Sequence, residues 1–332
     1  MATNTKRVLV TEPMHDIGLD LLRRRADVEF VVAEDARPET LARHMPGVHG
    51  VAVRIAQLPA DILALAPDLQ VVSRHGVGCD NVDVAHLTAR GIPVAIAAGA
   101  NSSSVAEHTM AMVLSLSRRL AAVDKAVRTG DFAGRMRLIA SDLEGAVMLV
   151  VGFGRVGRKV APRAQAFGME VVVADVLPYG DYAAKIGCRF VTDFHDALAE
   201  ADFITLHIPL DETTRHIVST AEFETMKSGA VLINAARGGV VDEKALLAAL
   251  EAGRIAGAGL DVFSVEPPPL DDPVFGPLLK RDDVILAPHT GAASHGAVRE
   301  MSRMAMQNIL DVFDGKITDD RVFNADALRA RG

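Results

Sequence analysis

The stretch from residue 147 to residue 175 constrains the fold more than any other part of the sequence. An apolar run at 147–151 predicts a buried strand, a Gly-x-Gly-x-x-Gly turn occupies 152–157, and a helical segment then leads to a second apolar run before Asp175. A turn of this kind between a strand and a helix is typical of dinucleotide-binding folds, because the helix N-terminus offers amide donors to a pyrophosphate. We therefore predict a dinucleotide site here.

Each glycine of the turn has a separate task in such a site. Gly152 permits the tight turn, Gly154 lets a pyrophosphate approach the backbone, and Gly157 lets the helix pack closely on the strand. Arg155 and Val156 complete the turn at the helix N-terminus, so we predict that all five residues contact the cofactor.

Asp175 indicates which dinucleotide binds. A carboxylate at the end of the second strand can accept hydrogen bonds from the ribose hydroxyls, and it would repel a 2′-phosphate. Residues 176–179 include no Arg or Lys that could neutralise such a phosphate. The sequence therefore favours NAD over NADP.

Charge and length exclude several classes of protein. The chain has 332 residues, enough for two domains, and its net charge is −8 without a long basic run, which argues against nucleic acid and anionic membranes as partners. No apolar stretch is long enough to cross a bilayer or to form a signal-peptide core. Two cysteines give neither a disulfide framework nor metal-ligand spacing, so we expect a soluble cytoplasmic protein without a metal.

Strands and helices alternate through the first part of the chain. The pattern predicts strands at 7–11, 28–32, 50–54, 70–74 and 93–96, and helices at 17–25, 38–44, 60–66 and 84–90. Such alternation implies an α/β fold with a parallel sheet covered by helices on both faces. Ligands bind beyond the carboxyl ends of these strands, where Arg54 and the run Arg74, His75, Gly76, Val77 and Gly78 lie.

The second part of the chain continues the pattern. Further strands are predicted at 203–208, 230–235, 258–263 and 284–287, with helices at 242–252 and 297–313. Residues 101–128 read as one long helix with a capping box from Ser104 to Glu107 and an end at Gly130. Pro162 falls inside the helix after the glycine-rich turn, where it should cause a kink.

Three polar residues follow predicted strands in this half. Arg237 could hold a carboxylate through two parallel hydrogen bonds, and His289 beside a carboxylate such as Glu266 could exchange a proton with a carbonyl or hydroxyl. Taken singly, each has an ordinary alternative: a surface arginine, a capping glutamate or a core histidine. Spacing alone cannot show that they converge.

The order of motifs from about residue 8 to residue 323 resembles the D-isomer-specific 2-hydroxy acid dehydrogenases. Besides the turn, the matching motifs are Gly76 to Asp83, Ser104 to His108, His207 to Pro209 with Thr213 and Thr214, Ala236 to Gly239, Leu260 to Phe263 with Glu266 and Pro267, and Pro288 to Gly291. The resemblance implies that Arg237, Glu266 and His289 are catalytic and that the amides of Gly76 to Gly78 bind the substrate carboxylate. It also adds His207, Ala235, Ala236, Asp261 and Gly291 to the NAD site.

The family's architecture carries over as an expectation. It implies two doubly wound, Rossmann-like domains flanking a cleft, with residues 1–99 and 294–332 binding substrate and residues 100–293 binding NAD. The helix after Asn101 is similar to the family's dimerisation arm, so we expect a homodimer; the alternative is an ordinary crossover helix.

Substrate choice remains open between several members of the family. Arg54 and Arg74 are similar to the cationic residues that phosphoglycerate dehydrogenases place around the substrate phosphate, which implies an anionic substrate tail. Arg135 lies in a segment that is also similar to theirs. These arginines could instead be surface charges or ion-pair partners. A glyoxylate or hydroxypyruvate reductase, or another 2-hydroxy acid dehydrogenase, is the alternative, and an NAD-binding scaffold or corepressor is the rival from another class. Because the chain ends soon after the last helix, we expect no C-terminal regulatory domain and no serine feedback through one.

Overall fold

The computed structural model describes residues 5–325 and Arg329, and the chain divides into two compact units. Unit 1 comprises the chain up to Asn101 and from Ala293 onward, and unit 2 runs from Ser102 to Ala292.

The strands alternate with helices along the whole chain. The strands are β1 (Lys6–Val10), β2 (Val28–Val32), β3 (Gly50–Val53), β4 (Val71–Arg74), β5 (Val94–Ile96), β6 (Val147–Val151), β7 (Glu170–Ala174), β8 (Arg189–Val191), β9 (Phe203–Leu206), β10 (Val231–Asn234), β11 (Gly257–Leu260) and β12 (Val284–Leu286). The helices are α1 (Asp16–Arg23), α2 (Pro38–His44), α3 (Ala60–Ala64), α4 (Val84–Ala89), α5 (Ser102–Ser117), α6 (Leu120–Arg128), α7 (Gly157–Ala166), α8 (Gly180–Lys185), α9 (His195–Leu198), α10 (Thr220–Thr225), α11 (Glu243–Glu251), α12 (Phe275–Leu278) and α13 (His295–Phe313). Short 3₁₀ segments lie at Phe132–Arg137 and Asp319–Arg321.

Unit 1 is a parallel sheet in the order β2-β1-β3-β4-β5. Successive side chains of a strand point to opposite faces, so Val8 and Val10 join one core and Leu9 joins the other. Helices α1 and α13 cover the first face, and α2, α3 and α4 cover the second. The predicted parallel α/β architecture is confirmed, and its strand ends carry the loops discussed below.

Unit 2 is a parallel sheet in the order β12-β11-β10-β9-β6-β7-β8. Helices α5 and α7 pack on one face, and α9 to α12 pack on the other. Strand β6 pairs with both β7 and β9, so the chain winds away from it in both directions. In sheets of this type, ligands bind beyond the carboxyl ends of the strands at this switch point.

The prediction of one long helix over residues 101–128 is wrong. Helix α5 ends at Ser117, and α6 begins at Leu120 after Arg119, whose φ is 51°. A left-handed residue cannot continue a right-handed helix, and the Ser117 carbonyl accepts from the Ser141 amide instead of from a further turn. The apolar periodicity continues across the break, which is why the sequence pattern concealed it.

The predicted capping box is also wrong. Ser104 lies inside α5, and its hydroxyl donates to the Gly291 carbonyl at 2.7 Å rather than capping the helix. Glu107 pairs with Arg163 of α7 at 3.0 Å. Both side chains therefore connect α5 to neighbouring elements of unit 2.

Three further features complete the fold. Helix α7 continues through Pro162 without interruption. Strand β8, at the edge of the unit 2 sheet, was missed in the sequence because it is only three residues long. Within the described residues, no helix is long and apolar enough to cross a membrane.

Candidate active site

The glycine-rich turn follows β6 and has different surroundings at each glycine. Gly152 has a φ of +93°, and a Cβ there would lie 2.6 Å from the His207 carbonyl oxygen. A Cβ at Gly157 would lie well inside 3.0 Å of the Gly152 carbonyl, a separation that Cβ atoms essentially never show. A Cβ at Gly154, in contrast, would meet nothing within 4 Å. The fold itself thus requires Gly152 and Gly157, whereas Gly154 leaves open space for a ligand.

The start of α7 suits an anion. Val156 occupies the N-cap position, and no side chain caps the helix. In the part of the chain that the structure describes, the amides of Gly154 and Val156 donate to no acceptor. Open space beside unpaired amides fits the pyrophosphate of a dinucleotide, and Arg155 lies between these two residues.

Asp175 directly follows β7 and lies against the turn. Its Oδ2 accepts from the Phe153 amide at 2.7 Å, and its Oδ1 accepts from the Leu177 amide at 2.9 Å. Val176, the next residue, is 90% exposed. The backbone therefore fixes the Asp175 carboxylate beside the glycine-rich turn.

His207 directly follows β9, next to β6. Its Nε2 is buried and has no hydrogen-bond partner among the described residues, and burial lowers the pKa of the imidazole to about 3. A neutral ring with an unpaired buried nitrogen offers a hydrogen bond to a ligand. Ala235 and Ala236 follow β10, and the Ala236 amide donates to Asn234 Oδ1 at 3.1 Å.

Arg237 lies in the loop after β10. Its Nη1 donates to the Ala236 carbonyl at 2.7 Å, and its own carbonyl accepts from Asn234 Nδ2 at 2.9 Å. A Cβ on Gly238 would collide with the backbone of Phe263 and Ser264. The close approach at Gly238 thus brings the Arg237 loop against the loop after β11, which carries Glu266.

The structure brings Glu266 and His289 into direct contact. Glu266 Oε2 lies 2.8 Å from His289 Nδ1, and Glu266 Oε1 accepts from the Phe263 amide at 3.1 Å. His289 has a left-handed backbone with a φ of 54°, and its side chain is 51% exposed. Because β10, β11 and β12 are neighbours in a parallel sheet, Arg237, Glu266 and His289 follow adjacent strands at the same edge.

Asp261 holds the loop that carries His289. It is 2% exposed, and its two oxygens accept from the Thr290 amide at 2.7 Å and the Gly291 amide at 2.8 Å. Burial alone would raise the pKa of Asp261, but His108 and these two amides hold it below its ordinary value. A Cβ on Gly291 would lie 2.8 Å from Asp261 Oδ2, so glycine allows this contact.

In unit 1, residues 76–78 form a loop of amides after β4. Within the described ranges, the N–H groups of Gly76, Val77 and Gly78 donate to no acceptor. Gly76 has a φ of +152°, a conformation that L side chains rarely adopt. Burial is the main reason that the pKa of the neighbouring His75 lies below its ordinary value. Successive unpaired amides are a typical anion-binding arrangement.

The two unit 1 arginines differ in their surroundings. Arg74 donates to the backbone carbonyls of Gly78 at 2.5 Å and Val53 at 3.2 Å, and also to that of Arg54. Arg54 is exposed, and no described residue pairs with its guanidinium. Arg74 therefore fastens the loops around the amides, whereas Arg54 carries the accessible positive charge.

Glu12 was missed in the sequence. It is 8% exposed, and its carboxylate accepts from the amides of Arg54, Ile55 and Ala56 at 3.1, 2.7 and 2.6 Å. It thereby fixes the backbone of the Arg54 loop. The local signal is its position two residues after the end of β1, at the edge where ligands bind.

Comparison with known proteins identifies the family. The family model "D-isomer specific 2-hydroxyacid dehydrogenase, NAD binding domain" matches residues 110–291. The chain is 36% identical to the D-3-phosphoglycerate dehydrogenase of Archaeoglobus fulgidus, over 93% of this chain and 58% of that protein. It is 35% identical to the glyoxylate reductase of Korarchaeum cryptofilum, over 98% of each. It thus spans less than two thirds of the first relative and nearly all of the second.

A solved structure agrees with this result. The D-lactate dehydrogenase of Aquifex aeolicus, complexed with NAD and lactic acid, superposes with a TM-score of 0.83 and 28% identity, over 93% of this chain and 97% of that chain. The matched model describes an NAD-binding domain, as the turn and Asp175 predicted. The chain belongs to the D-isomer-specific 2-hydroxyacid dehydrogenase family.

Proposed function

We propose that this protein is an NAD-dependent dehydrogenase that interconverts a D-2-hydroxy acid and its 2-keto acid. The observation that carries the proposal is the 2.8 Å contact between Glu266 and His289, one strand away from Arg237 and in the same sheet as the glycine-rich turn. An acid–base pair beside a dinucleotide site is what hydride transfer to a carbonyl requires.

Several residues of unit 2 are proposed to line the NAD site. Their support is the open space at Gly154, the unpaired amides and the anchored carboxylate of Asp175. The residues are Gly152, Gly154, Arg155, Val156, Gly157, Asp175, His207, Ala235, Ala236, Asp261 and Gly291. NAD, when bound, supplies or accepts the hydride.

His289 is the proposed general acid and base. Its Nδ1 faces Glu266, which leaves Nε2 to deliver a proton to the carbonyl oxygen during reduction and to take it back from the hydroxyl during oxidation. The Glu266 carboxylate fixes the orientation of the His289 ring, since its second oxygen is held by the Phe263 amide. Half exposure of the His289 side chain allows it to exchange protons with solvent.

Arg237 and the unit 1 amides are the proposed carboxylate ligands. The planar guanidinium of Arg237 can hold a carboxylate and polarise the adjacent carbonyl. The amides of Gly76 to Gly78 can themselves donate to a carboxylate. Unit 1, which carries this loop, is therefore the proposed substrate-binding domain.

Arg54 supports a substrate with a second anionic group, such as 3-phosphohydroxypyruvate. It is exposed, unpaired among the described residues, and held on a fixed backbone by Glu12. A charge-assisted contact contributes roughly 1.5–3 kcal/mol, or about tenfold or more in affinity. Arg74 donates to backbone carbonyls, so its proposed role is to hold the loops rather than to bind the substrate. A glyoxylate or hydroxypyruvate reductase is the second candidate, favoured by similarity to a glyoxylate reductase over the whole chain.

A substrate panel distinguishes these candidates. kcat/KM for 3-phosphohydroxypyruvate, hydroxypyruvate, glyoxylate and pyruvate is measured at low and high salt with wild type, Arg54→Ala and Arg24→Ala. Arg24 is an exposed arginine at the C-terminal end of α1, at the opposite edge of the sheet, and serves as the control. We expect a preference for the dianionic acid that Arg54→Ala removes and Arg24→Ala retains.

Two other results would change the proposal. If glyoxylate or pyruvate is the best substrate and Arg54→Ala has no effect, the anionic-tail proposal fails while the dehydrogenase survives. If NADH binds tightly and every keto acid fails, a nucleotide-binding scaffold becomes the better account.

A homodimer is proposed from the segment after α5. Helix α6 has no buried residue, and Val127, Phe132, Met136 and Ile139 are 63–74% exposed. Exposed apolar side chains on one segment are typical of an interface, and the resemblance to the family's dimerisation arm points to a second copy of this chain. Replacing Phe132 and Met136 with Asp should yield a monomer in sedimentation velocity, whereas replacing Phe167, an exposed residue outside the segment, should not.

A cytoplasmic location is likewise proposed. Its support is that Cys79 and Cys188 are both buried thiols outside any disulfide, as is common in reducing compartments. Cell fractionation with an antibody against the protein tests it.

A further inference from the structure

We propose that His108 of α5 is a positioning residue for the proposed proton donor His289, acting through the buried carboxylate of Asp261. The proposal rests on the proposed function insofar as it concerns catalysis. It rests on the structure alone insofar as it concerns the loop that carries His289.

The chain of contacts begins on α5. His108 Nε2 lies 3.3 Å from Asp261 Oδ1, the same oxygen that accepts from the Thr290 amide. This nitrogen is buried and makes no hydrogen bond of good geometry among the described residues, so the Asp261 oxygen is the polar group that it faces. Asp261 is the acidic group that this nitrogen faces, and an imidazole N–H at Nε2 offsets part of the cost of burying the carboxylate.

The chain continues from Asp261 to His289. The Asp261 carboxylate holds the amides of Thr290 and Gly291, and the Asp261 carbonyl accepts from the His289 amide at 2.7 Å. His289 itself has the left-handed backbone that a non-glycine residue adopts only when its surroundings impose it. Asp261 thus fixes the amides of His289, Thr290 and Gly291, and His108 contacts Asp261.

A second contact from α5 reaches the same loop. Ser104, one helical turn before His108, donates to the Gly291 carbonyl at 2.7 Å. Glu107, the residue before His108, pairs with Arg163 of α7 at 3.0 Å. On the opposite side of the loop, His289 faces Glu266. Helix α5 therefore contacts the loop through Ser104 and His108, and His108 alone of the two reaches the carboxylate.

The two amide substitutions of His108 test the proposal, because they separate the two ring nitrogens. The side-chain nitrogen of Gln reaches about as far as Nε2, whereas that of Asn reaches only about as far as Nδ1. Since Nε2 faces Asp261, His108→Gln should retain the contact and His108→Asn should lose it. His86→Asn is the matched control, because His86 Nε2 is buried as well but has no hydrogen-bond partner among the described residues, and His86 lies in α4 of unit 1.

The first readout needs no activity. Hydrogen–deuterium exchange of the peptide containing Thr290 and Gly291 should become about tenfold faster in His108→Asn, in line with the loss of a charge-assisted contact. His108→Gln and His86→Asn should exchange at the wild-type rate. If both His108 variants exchange at the wild-type rate, the proposed role of His108 in the loop is overturned. It is also overturned if both variants exchange faster than wild type and at the same rate.

The second readout is kinetic. In His108→Asn, kcat should fall about tenfold and its pH profile should shift, while the Kd for NADH and the KM for the keto acid change less than about twofold. In the Asp261→Asn background, His108→Asn should add no further loss, because His108 acts through Asp261. If the losses in kcat caused by the two substitutions are fully additive, His108 does not act through Asp261 and the proposal is overturned. If wild type reduces no keto acid, the proposed function fails, and the exchange result still decides the role of His108 in the loop.

Discussion

The three glycines of the turn after β6 allow a prediction that separates folding from cofactor binding. Gly157→Ala places a Cβ well inside 3.0 Å of the Gly152 carbonyl, so the helix or the turn must move. Overpacking of this kind costs about 1–3 kcal/mol, and at about 2–4 °C per kcal/mol the Tm should fall by roughly 2–12 °C. Gly154→Ala places its Cβ in open space, and its backbone is not left-handed, so the Tm should change by less than about 2 °C.

Cofactor affinity should follow the opposite order to stability. In Gly154→Ala the new methyl group occupies the space left for a pyrophosphate, so the Kd for NADH should rise at least about tenfold, which corresponds to ~1.4 kcal/mol. Differential scanning fluorimetry gives the Tm, and quenching or enhancement of NADH fluorescence gives the Kd. If Gly154→Ala binds NADH as tightly as wild type, the pyrophosphate does not lie against this residue. If it instead unfolds at a lower temperature, the open space at Gly154 is not as described.

Three more predictions concern charge. Asp175→Ala should narrow the preference for NAD over NADP, and unchanged relative kcat/KM values for the two cofactors would count against the assignment. Glu266→Gln should shift the pH profile of kcat/KM, because a neutral amide removes the negative charge beside His289; an unaltered profile removes Glu266 from the proton transfer. Burial alone would lower the pKa of His195 from its ordinary 6.5, but Asp193 at 2.6 Å and Glu222 at 3.1 Å together raise it. The pKa of His195 is higher in the folded chain than in the unfolded chain. The contact therefore stabilises the fold fully at a pH below the unfolded pKa, and this stabilisation is lost as the pH rises through the folded pKa. The difference in Tm between wild type and His195→Gln should therefore shrink from about pH 5.5 to about pH 8, and a constant difference would refute it.

Local features of the fold could be predicted from the sequence. The strand β6, its glycine-rich turn and Asp175 lie within one short stretch, where periodicity and residue type determine the structure. The boundary between α5 and α6 could not be predicted, because apolar residues recur on both sides of Arg119. Leu120 and Val127 continue the pattern but are exposed, so periodicity alone misjudged what they pack against.

The supporting contacts of the candidate site could not be predicted either. Glu12 binds amides more than forty residues further along the chain, and Asp261 binds amides about thirty residues further along. Such pairs form only when parallel strands bring their carboxyl ends together, so they cannot be predicted from the spacing of the residues along the sequence. Arg74 shows the same limit: its charge was visible in the sequence, but its three backbone acceptors were not.

The central claim is that His289 transfers a proton while NADH reduces a 2-keto acid. Single-turnover oxidation of enzyme-bound NADH, with the enzyme in excess and the absorbance of NADH followed, tests this most directly when wild type and His289→Ala are mixed with the best substrate of the panel. General acid catalysis contributes about 10²–10⁴-fold, so the variant should bind NADH with a wild-type Kd and oxidise it slower by about that factor. Oxidation by the variant at the wild-type rate would contradict the claim.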